Sequence, residues 1–167
     1  MTTMSGAMMI PEFDQEFAQT RIALERIPED KFDWKPHDKS FSLKGLGAHL
    51  SDICYWMAPT LDMDLMDLDA NPWNPPVPDT KEGILARFDA GVKEARAKLE
   101  AATPEKLQEM WSMKWGGEVA MTMPKGAVVR SFIMNHNIHH RAQLGVYLRL
   151  LGVAVPGHYG PSADEAM

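Results

Sequence analysis

The chain has 167 residues, of which 45% are apolar and 24% are charged, and its formal net charge is −6. This length and composition suit one soluble domain, residues 1–167, that buries a core without disulfides or a structural metal. The acidic balance, with Lys and Arg scattered along the chain, excludes the basic surface that nucleic-acid binding requires.

Two amphipathic helices are predicted in the first third of the chain. The first runs from Pro11, which suits a first helical turn, to Ile27. The second runs from Ser42, a candidate N-cap, to Ala58, because Pro59 follows. The apolar residues at helical spacing are Phe13, Phe17, Ile22 or Leu24, Ile27, Leu43, Leu46, Leu50, Ile53 and Met57.

The middle of the chain is predicted to be a loop, a helix and an irregular stretch. Residues 71–78 hold four prolines and cannot lie inside a helix. A third helix is predicted from Thr80, as N-cap, to about Thr103, with Ile84, Leu85, Phe88, Val92, Ala95 and Leu99 on one face. Residues 111–123 suggest two short extended pieces around a turn at Trp115, Gly116 and Gly117.

A fourth helix is predicted between Pro124 and Gly152, followed by an irregular tail from Val153 to Met167. Four long helices with little strand signal predict an all-α fold, an up-and-down four-helix bundle with irregular loops.

The fourth helix carries two histidines in its apolar stripe. At about 100° per residue, His136 and His140 fall within about 40° of each other, among Val129, Ile133, Leu144, Tyr147 and Leu151. Arg130, Arg141 and Arg149 fall on the opposite side of the helix. Two imidazoles four residues apart are close enough to bind one ion. A single buried histidine is more often a hydrogen-bonded core residue, so the pair alone leaves both interpretations open.

A third histidine, His49, lies beside Leu46, Leu50 and Ile53 on the second helix and faces inward. Three histidines without a fourth protein ligand leave a coordination position open for water or substrate, as in catalytic metal sites. We expect the outer ring nitrogens to bind Asn135, Gln143 or a backbone carbonyl. His139 is expected at the rim, although a pairing of His136 with His139 remains possible.

The remaining candidate residues are assigned other roles. Cys54 is expected to be a buried, unreactive thiol, and His37 and His158 are expected at the surface or in loops. Trp56, Trp73, Trp111 and Trp115 either line the mouth of the site or simply pack in the core. A single cysteine, with no signal peptide and no membrane-spanning stretch, predicts a cytoplasmic protein.

Three segments resemble the DinB-like (damage-inducible) family of metal-binding four-helix bundles. They are residues 135–144, NHNIHHRAQL; the tail 151–165, LGVAVPGHYGPSADE; and DWKPH at 33–37 followed by GAHL at 47–50. The resemblance covers nearly the whole chain in the right order. The family's ligand pattern maps onto His49, His136 and His140. Ala142 stands where the family often has glycine.

The resemblance implies a zinc or nickel site, with iron also possible, and a homodimer. It implies a transferase that joins a low-molecular-weight thiol to a small electrophile, because relatives use bacillithiol, mycothiol or glutathione. A metal-dependent hydrolase with a metal-bound water as nucleophile, or a non-catalytic stress-related metal-binding protein, are the alternatives. Sequence alone does not name the substrate.

Overall fold

The computed structural model describes residues 5–166 as a mostly helical chain with a small sheet; Met167, the predicted end of the tail, lies outside this range. The helices are α1 (Gly6–Glu25), α2 (Leu43–Asp52), α3 (Met57–Asp62), α4 (Lys81–Ala101), α5 (Pro104–Gln108), α6 (Lys125–Val128) and α7 (His136–Leu150). The strands are β1 (Leu65–Asp67), β2 (Met110–Trp115) and β3 (Glu118–Pro124). Short 3-10 turns cover Glu29–Lys31 and Ile53–Trp56, and a π-helical segment, Val129–Asn135, joins α6 to α7.

The core lies between α1, α2, α4 and α7. Helices α1 and α2 each pack against both α4 and α7. The apolar faces predicted from the sequence point into this core, and Leu24 is fully buried where Ile22 is exposed. Other buried residues of this core are Phe13, Phe17, Ile27, Leu43, Leu46, Leu50, Phe88, Leu99, Leu144 and Leu148.

A three-stranded sheet in the described part of the chain corrects the all-α prediction. Strand β2 lies in the centre, parallel to β1 and antiparallel to β3. The predicted turn is confirmed, because Gly116 and Gly117 adopt φ of 67° and 83°, which glycine reaches without strain. Trp111 anchors the sheet, since its ring is fully buried and its indole Nε1 donates to the carbonyl of Pro59 (3.1 Å).

Two helix boundaries differ from the predicted ones. Helix α1 begins at Gly6, so Pro11 lies in its second turn. There the missing N–H leaves the carbonyl of Ala7 without its helical partner, and both residues are exposed, so water can satisfy it. The predicted second helix ends at Asp52, and Pro59 lies inside α3 after the 3-10 turn.

The helix caps agree with the sequence. The hydroxyls of Ser42 and Thr80 accept hydrogen bonds from the backbone N–H groups of Gly45 and Gly83, each at 3.0 Å. Gly152 follows α7 with a φ of 72° and donates to the carbonyl of Arg149 (3.1 Å). Between residues 5 and 166, no helix combines the length and apolar character needed to span a bilayer.

Gly152→Ala should destabilise the protein by about 1 kcal/mol, because a Cβ disfavours the left-handed region. No atom lies within 4 Å of that Cβ, so the cost is conformational. The matched control is Gly160→Ala, which also meets open space but has no positive φ. Urea melts should separate the two variants; equal midpoints would contradict this explanation.

Candidate metal centre

Three histidines meet where α2 packs against α7. Helix α2 supplies His49, and the first two turns of α7 supply His136 and His140. The Nε2 atom of His136 lies 3.3 Å from Nε2 of His49 and 2.8 Å from Nε2 of His140. One nitrogen from each ring falls within a cluster whose members are all within 4.8 Å of one another. The structure therefore brings the three sequence-predicted residues together.

The outer ring nitrogens of the α7 histidines fix their protonation. Nδ1 of His140 lies 2.7 Å from Oε1 of Gln143, and Nδ1 of His136 lies 3.3 Å from the carbonyl oxygen of Phe132. Both partners are acceptors, so each Nδ1 carries the proton and each Nε2 presents a lone pair. Gln143 is oriented by its other end, since its Nε2 donates to Nε2 of His139 (3.1 Å).

Burial keeps these rings neutral. Loss of solvation, and then the nearby ring of His136, lower the pKa of His49 to about 4. Loss of solvation also lowers the pKa of His140 to about 4 against the opposing effect of Gln143, and lowers the pKa of His136. All three imidazoles are therefore in the neutral form that binds metal ions near pH 7.

The cluster fits a divalent cation. Zinc–nitrogen bonds of about 2.0–2.1 Å in a tetrahedral site place ligand nitrogens roughly 3.3 Å apart. The Nε2 atoms of His49 and His136 are 3.3 Å apart, which equals this value, whereas those of His136 and His140 are closer, at 2.8 Å. Neutral imidazole nitrogen suits zinc, nickel and iron. That these residues bind a metal remains a prediction.

The two sides of the cluster are covered differently. On one side Phe41 stacks on His49, with ring centroids 5.6 Å apart, and meets His140 edge-on. On the other side His49 and His136 line a cleft of about 240 Å³. The other residues that line this cleft are Asp52, Ile53, Trp56, Trp73 and Pro75.

The other candidate histidines stay outside the cluster. His139 is exposed and reaches the site only through Gln143, as expected for a rim residue. His37 is exposed, as predicted. His158 is half-buried. Its Nδ1 lies 3.0 Å from Oε1 of Gln19, a contact that joins the C-terminal tail to α1.

The cysteine and the tryptophans divide between core and cleft. Cys54 is buried, and burial raises the pKa of its thiol, in agreement with an unreactive role. Trp56 and Trp73 line the cleft, whereas Trp111 belongs to the core and Trp115 lies 69% exposed at the hairpin turn. The suggestion that all four might line one mouth is therefore wrong for the last two.

Sequence reasoning missed the carboxylate of the cleft. Asp52 is buried, accepts from the indole Nε1 of Trp73 (2.6 Å) and pairs with Arg87 of α4. It lies three residues after His49, so the two share a helix face, and that spacing was the available signal. The sequence also did not predict the burial of Arg141. This residue is buried against Glu16 of α1, whereas Arg130 and Arg149 are exposed.

Comparison with known proteins places this geometry in a family. The model of the DinB family matches residues 1–167. An uncharacterised protein, YrdA of Bacillus subtilis (strain 168), is 40% identical over 47 residues, which is 28% of this chain and 28% of that protein. The matched segment thus covers less than a third of that relative.

Two solved structures share the fold. A DinB-like protein of Bacillus subtilis (YjoA) has a TM-score of 0.70 and 21% identity, over 90% of this chain and 96% of that one. A DinB-like protein of Bacillus cereus ATCC 10987 also has a TM-score of 0.70, with 19% identity over 89% and 94% of the two chains.

Proposed function

Because the chain belongs to the DinB family, we propose that His49, His136 and His140 bind one divalent metal ion that serves a reaction. Zinc or nickel is favoured over iron. The observation that supports this proposal most strongly is the convergence of one ring nitrogen from each of these histidines within 4.8 Å of one another. The chain has an extensive apolar core, so folding does not depend on the ion in this proposal.

The proposed reaction is transfer of a small thiol to a small electrophile. A bound divalent ion would lower the pKa of the thiol and hold it as a thiolate. The thiol proton passes to solvent when the thiolate forms. The sulfur then forms a bond to carbon of the electrophile, the bond from that carbon to its leaving group breaks, and the leaving group departs with the electron pair of that bond. The cleft beside His49 and His136 gives both reactants access. The family resemblance supports a thiol as the nucleophile, and a metal held by three protein ligands would have a coordination position open for it.

The residues around the cluster would position and shield the reactants. Phe41, which is 51% exposed, would cover one face of the His49 ring. Asp52 is not free to act as a base, because Arg87 and Trp73 occupy both of its carboxylate oxygens. Its role in this proposal is to hold the wall of the cleft.

Elemental analysis of purified protein, followed by a thiol-transfer assay, tests the proposed function. Bacillithiol, mycothiol and glutathione would each be combined with 1-chloro-2,4-dinitrobenzene and other small electrophiles. We expect one metal per chain, and turnover that a chelator removes and zinc or nickel restores. Turnover unaffected by the chelator would refute the proposal. Thiol-independent ester or amide hydrolysis would favour the hydrolase, and metal binding without any turnover would favour a non-catalytic metal-binding protein.

Gln143→Leu should weaken metal affinity by about 10–100-fold, the usual effect of losing a residue that orients a ligating histidine. The substitution removes the acceptor for Nδ1 of His140 and keeps the ligand itself. Asn135→Leu is the control, because Asn135 is exposed and the described contacts give its side chain no bond to these rings. Competition with a chromophoric chelator measures both; equal affinities would contradict the orienting role.

We also propose that residues 1–167 form one domain of the up-and-down four-helix-bundle type, working in the cytoplasm as a homodimer joined through helix faces. The shared core of α1, α2, α4 and α7 supports the bundle, and the family resemblance supports the dimer. Light scattering at micromolar concentration should give twice the mass of the 18.7 kDa chain. The monomer mass would refute the dimer.

A further inference from the structure

The cleft beside the histidine cluster has an aromatic wall. The rings of Trp56 and Trp73 meet at 62° with centroids 5.7 Å apart. Both rings line the same cleft as Ile53, Pro75 and the two histidines His49 and His136. A molecule bound in this cleft therefore lies beside both the indoles and the histidines.

The wall is held in place by polar contacts. The indole Nε1 of Trp73 donates to Oδ2 of Asp52 (2.6 Å), and Arg87 pairs with the other oxygen of this buried carboxylate. Trp73 is the anchor of an otherwise largely exposed, proline-rich loop. The ring position is therefore preorganised, which lowers the entropy cost of binding against it.

Methionines back the aromatic wall. Met66, Met113 and Met121 are paired across the three strands, so their side chains form one row on one face of the sheet. This row packs in the same apolar cluster as Trp56 and Trp73. Thioether side chains fill irregular apolar space and make favourable contacts with aromatic rings, so this row supports the cluster in which the wall lies.

The rest of the cleft lining is apolar or already paired. Ile53 and Pro75 are its other apolar residues, and the carboxylate of Asp52 is occupied by Arg87 and Trp73. Away from the histidines, the described lining therefore presents mainly apolar and aromatic surface to a bound molecule.

We propose that this cleft selects a small reactant carrying a planar apolar ring, which lies against Trp56 and Trp73 beside the histidine cluster. The volume of about 240 Å³ holds roughly eight water-sized atoms, enough for one six-membered ring and a short substituent. This inference deepens the proposed function and rests on it, because it names the class of reactant for that site.

Isothermal titration of zinc-loaded protein with two thiols tests the preference. The probes are 2-phenylethanethiol, which carries a ring, and ethanethiol, which is the same thiol without the ring. We expect the ring-bearing thiol to bind about 10-fold tighter or more, since burying an aromatic ring contributes at least that factor. Equal affinities, or tighter binding of ethanethiol, would overturn the proposal.

Variants of Trp73 test whether the aromatic wall causes the ring preference. Trp73→Ala should remove the preference and leave zinc affinity within about 3-fold, whereas Trp73→Phe, which keeps a ring, should retain most of it. Trp115→Ala is the matched control, because that indole is exposed at the hairpin turn. A preference that survives Trp73→Ala in a folded variant would contradict the assignment.

The metal-free protein separates the two proposals. A change in tryptophan fluorescence on adding benzyl alcohol, compared with methanol, which lacks the ring, reports binding at the wall without any metal. A ring preference there, in a protein that binds no zinc, would support the wall and refute the proposed function. Zinc binding without a ring preference would refute the wall and support the proposed metal site.

Discussion

His140→Ala is expected to abolish tight metal binding and to leave the fold in place. The variant keeps two histidines and loses the only one oriented by Gln143, so the loss should exceed the 10–100-fold effect of an orienting residue. The apolar core, in which Leu144 and Leu148 of the same helix are fully buried, remains to hold α7. Zinc titration against a competing chelator measures the affinity, and circular dichroism with a thermal melt measures the fold.

His37→Ala is the control for this variant, because His37 is an exposed histidine outside the cluster. Wild type and control should both gain about 2.7 kcal/mol of stability when free zinc is 100 times the dissociation constant, and His140→Ala should gain almost none. Failure of His140→Ala to fold would make the ion structural, as in zinc fingers. Unchanged zinc affinity would place the metal elsewhere.

Arg141→Ala is expected to cost about 3–5 kcal/mol of folding free energy, because it leaves a buried carboxylate without its cation. Arg141 donates to the backbone oxygen and to Oε2 of Glu16, each at 2.7 Å, and to the hydroxyl of Tyr159 at 2.8 Å. Both charged side chains are more than 90% buried. Urea unfolding should show the loss, which is a large part of the 5–15 kcal/mol typical of a domain.

The matched control is a second ion pair, between α1 and the π-helical segment that leads into α7. Arg130, in the π-helical segment before α7, pairs with Glu12 of α1 at the surface, so Arg130→Ala should cost at most about 1 kcal/mol. Replacing both buried partners, Glu16→Leu with Arg141→Met, should recover much of the loss, since no unpaired charge then remains. Equal costs for the two single arginine variants would contradict a decisive role of burial.

The histidine cluster was predictable because its local geometry is regular. His136 and His140 lie in α-helix, so a wheel at about 100° per residue places them correctly on one face. His49 lies in the α-helical part of its segment, next to fully buried Leu50. Of the partners predicted for the outer nitrogens, Gln143 lies at His140 and a backbone carbonyl lies at His136, whereas the described contacts give Asn135 no bond to either ring.

The same wheel was unreliable one turn earlier. Residues 129–135 are π-helical, with wider turns, so the angles assigned there to Val129 and Ile133 do not apply. Both residues are buried nevertheless. The side opposite the histidines also faces protein, because α7 packs against α1, and this is why Arg141 is buried. A wheel shows which residues share a face, but it does not show how many faces are covered.

Contacts between residues far apart in the chain could not be predicted from the sequence. Strand β1 has three residues and gains its structure from parallel pairing with β2, some 45 residues later in the chain. The cleft depends on a similar contact, because Trp73 comes from a proline-rich loop and reaches Asp52 on α2. Neither contact leaves a periodic pattern in the sequence, whereas buried helix faces do.

X-ray absorption at the zinc edge of the zinc-loaded protein tests the central claim most directly. One zinc per chain should show three imidazole nitrogens at about 2.0–2.1 Å, with any further ligand a light atom from solvent. Addition of a small thiol should then introduce one sulfur at about 2.3 Å without removing the imidazoles. A first shell lacking the three imidazoles, or substoichiometric zinc that a weak chelator removes, would contradict a three-histidine metal site.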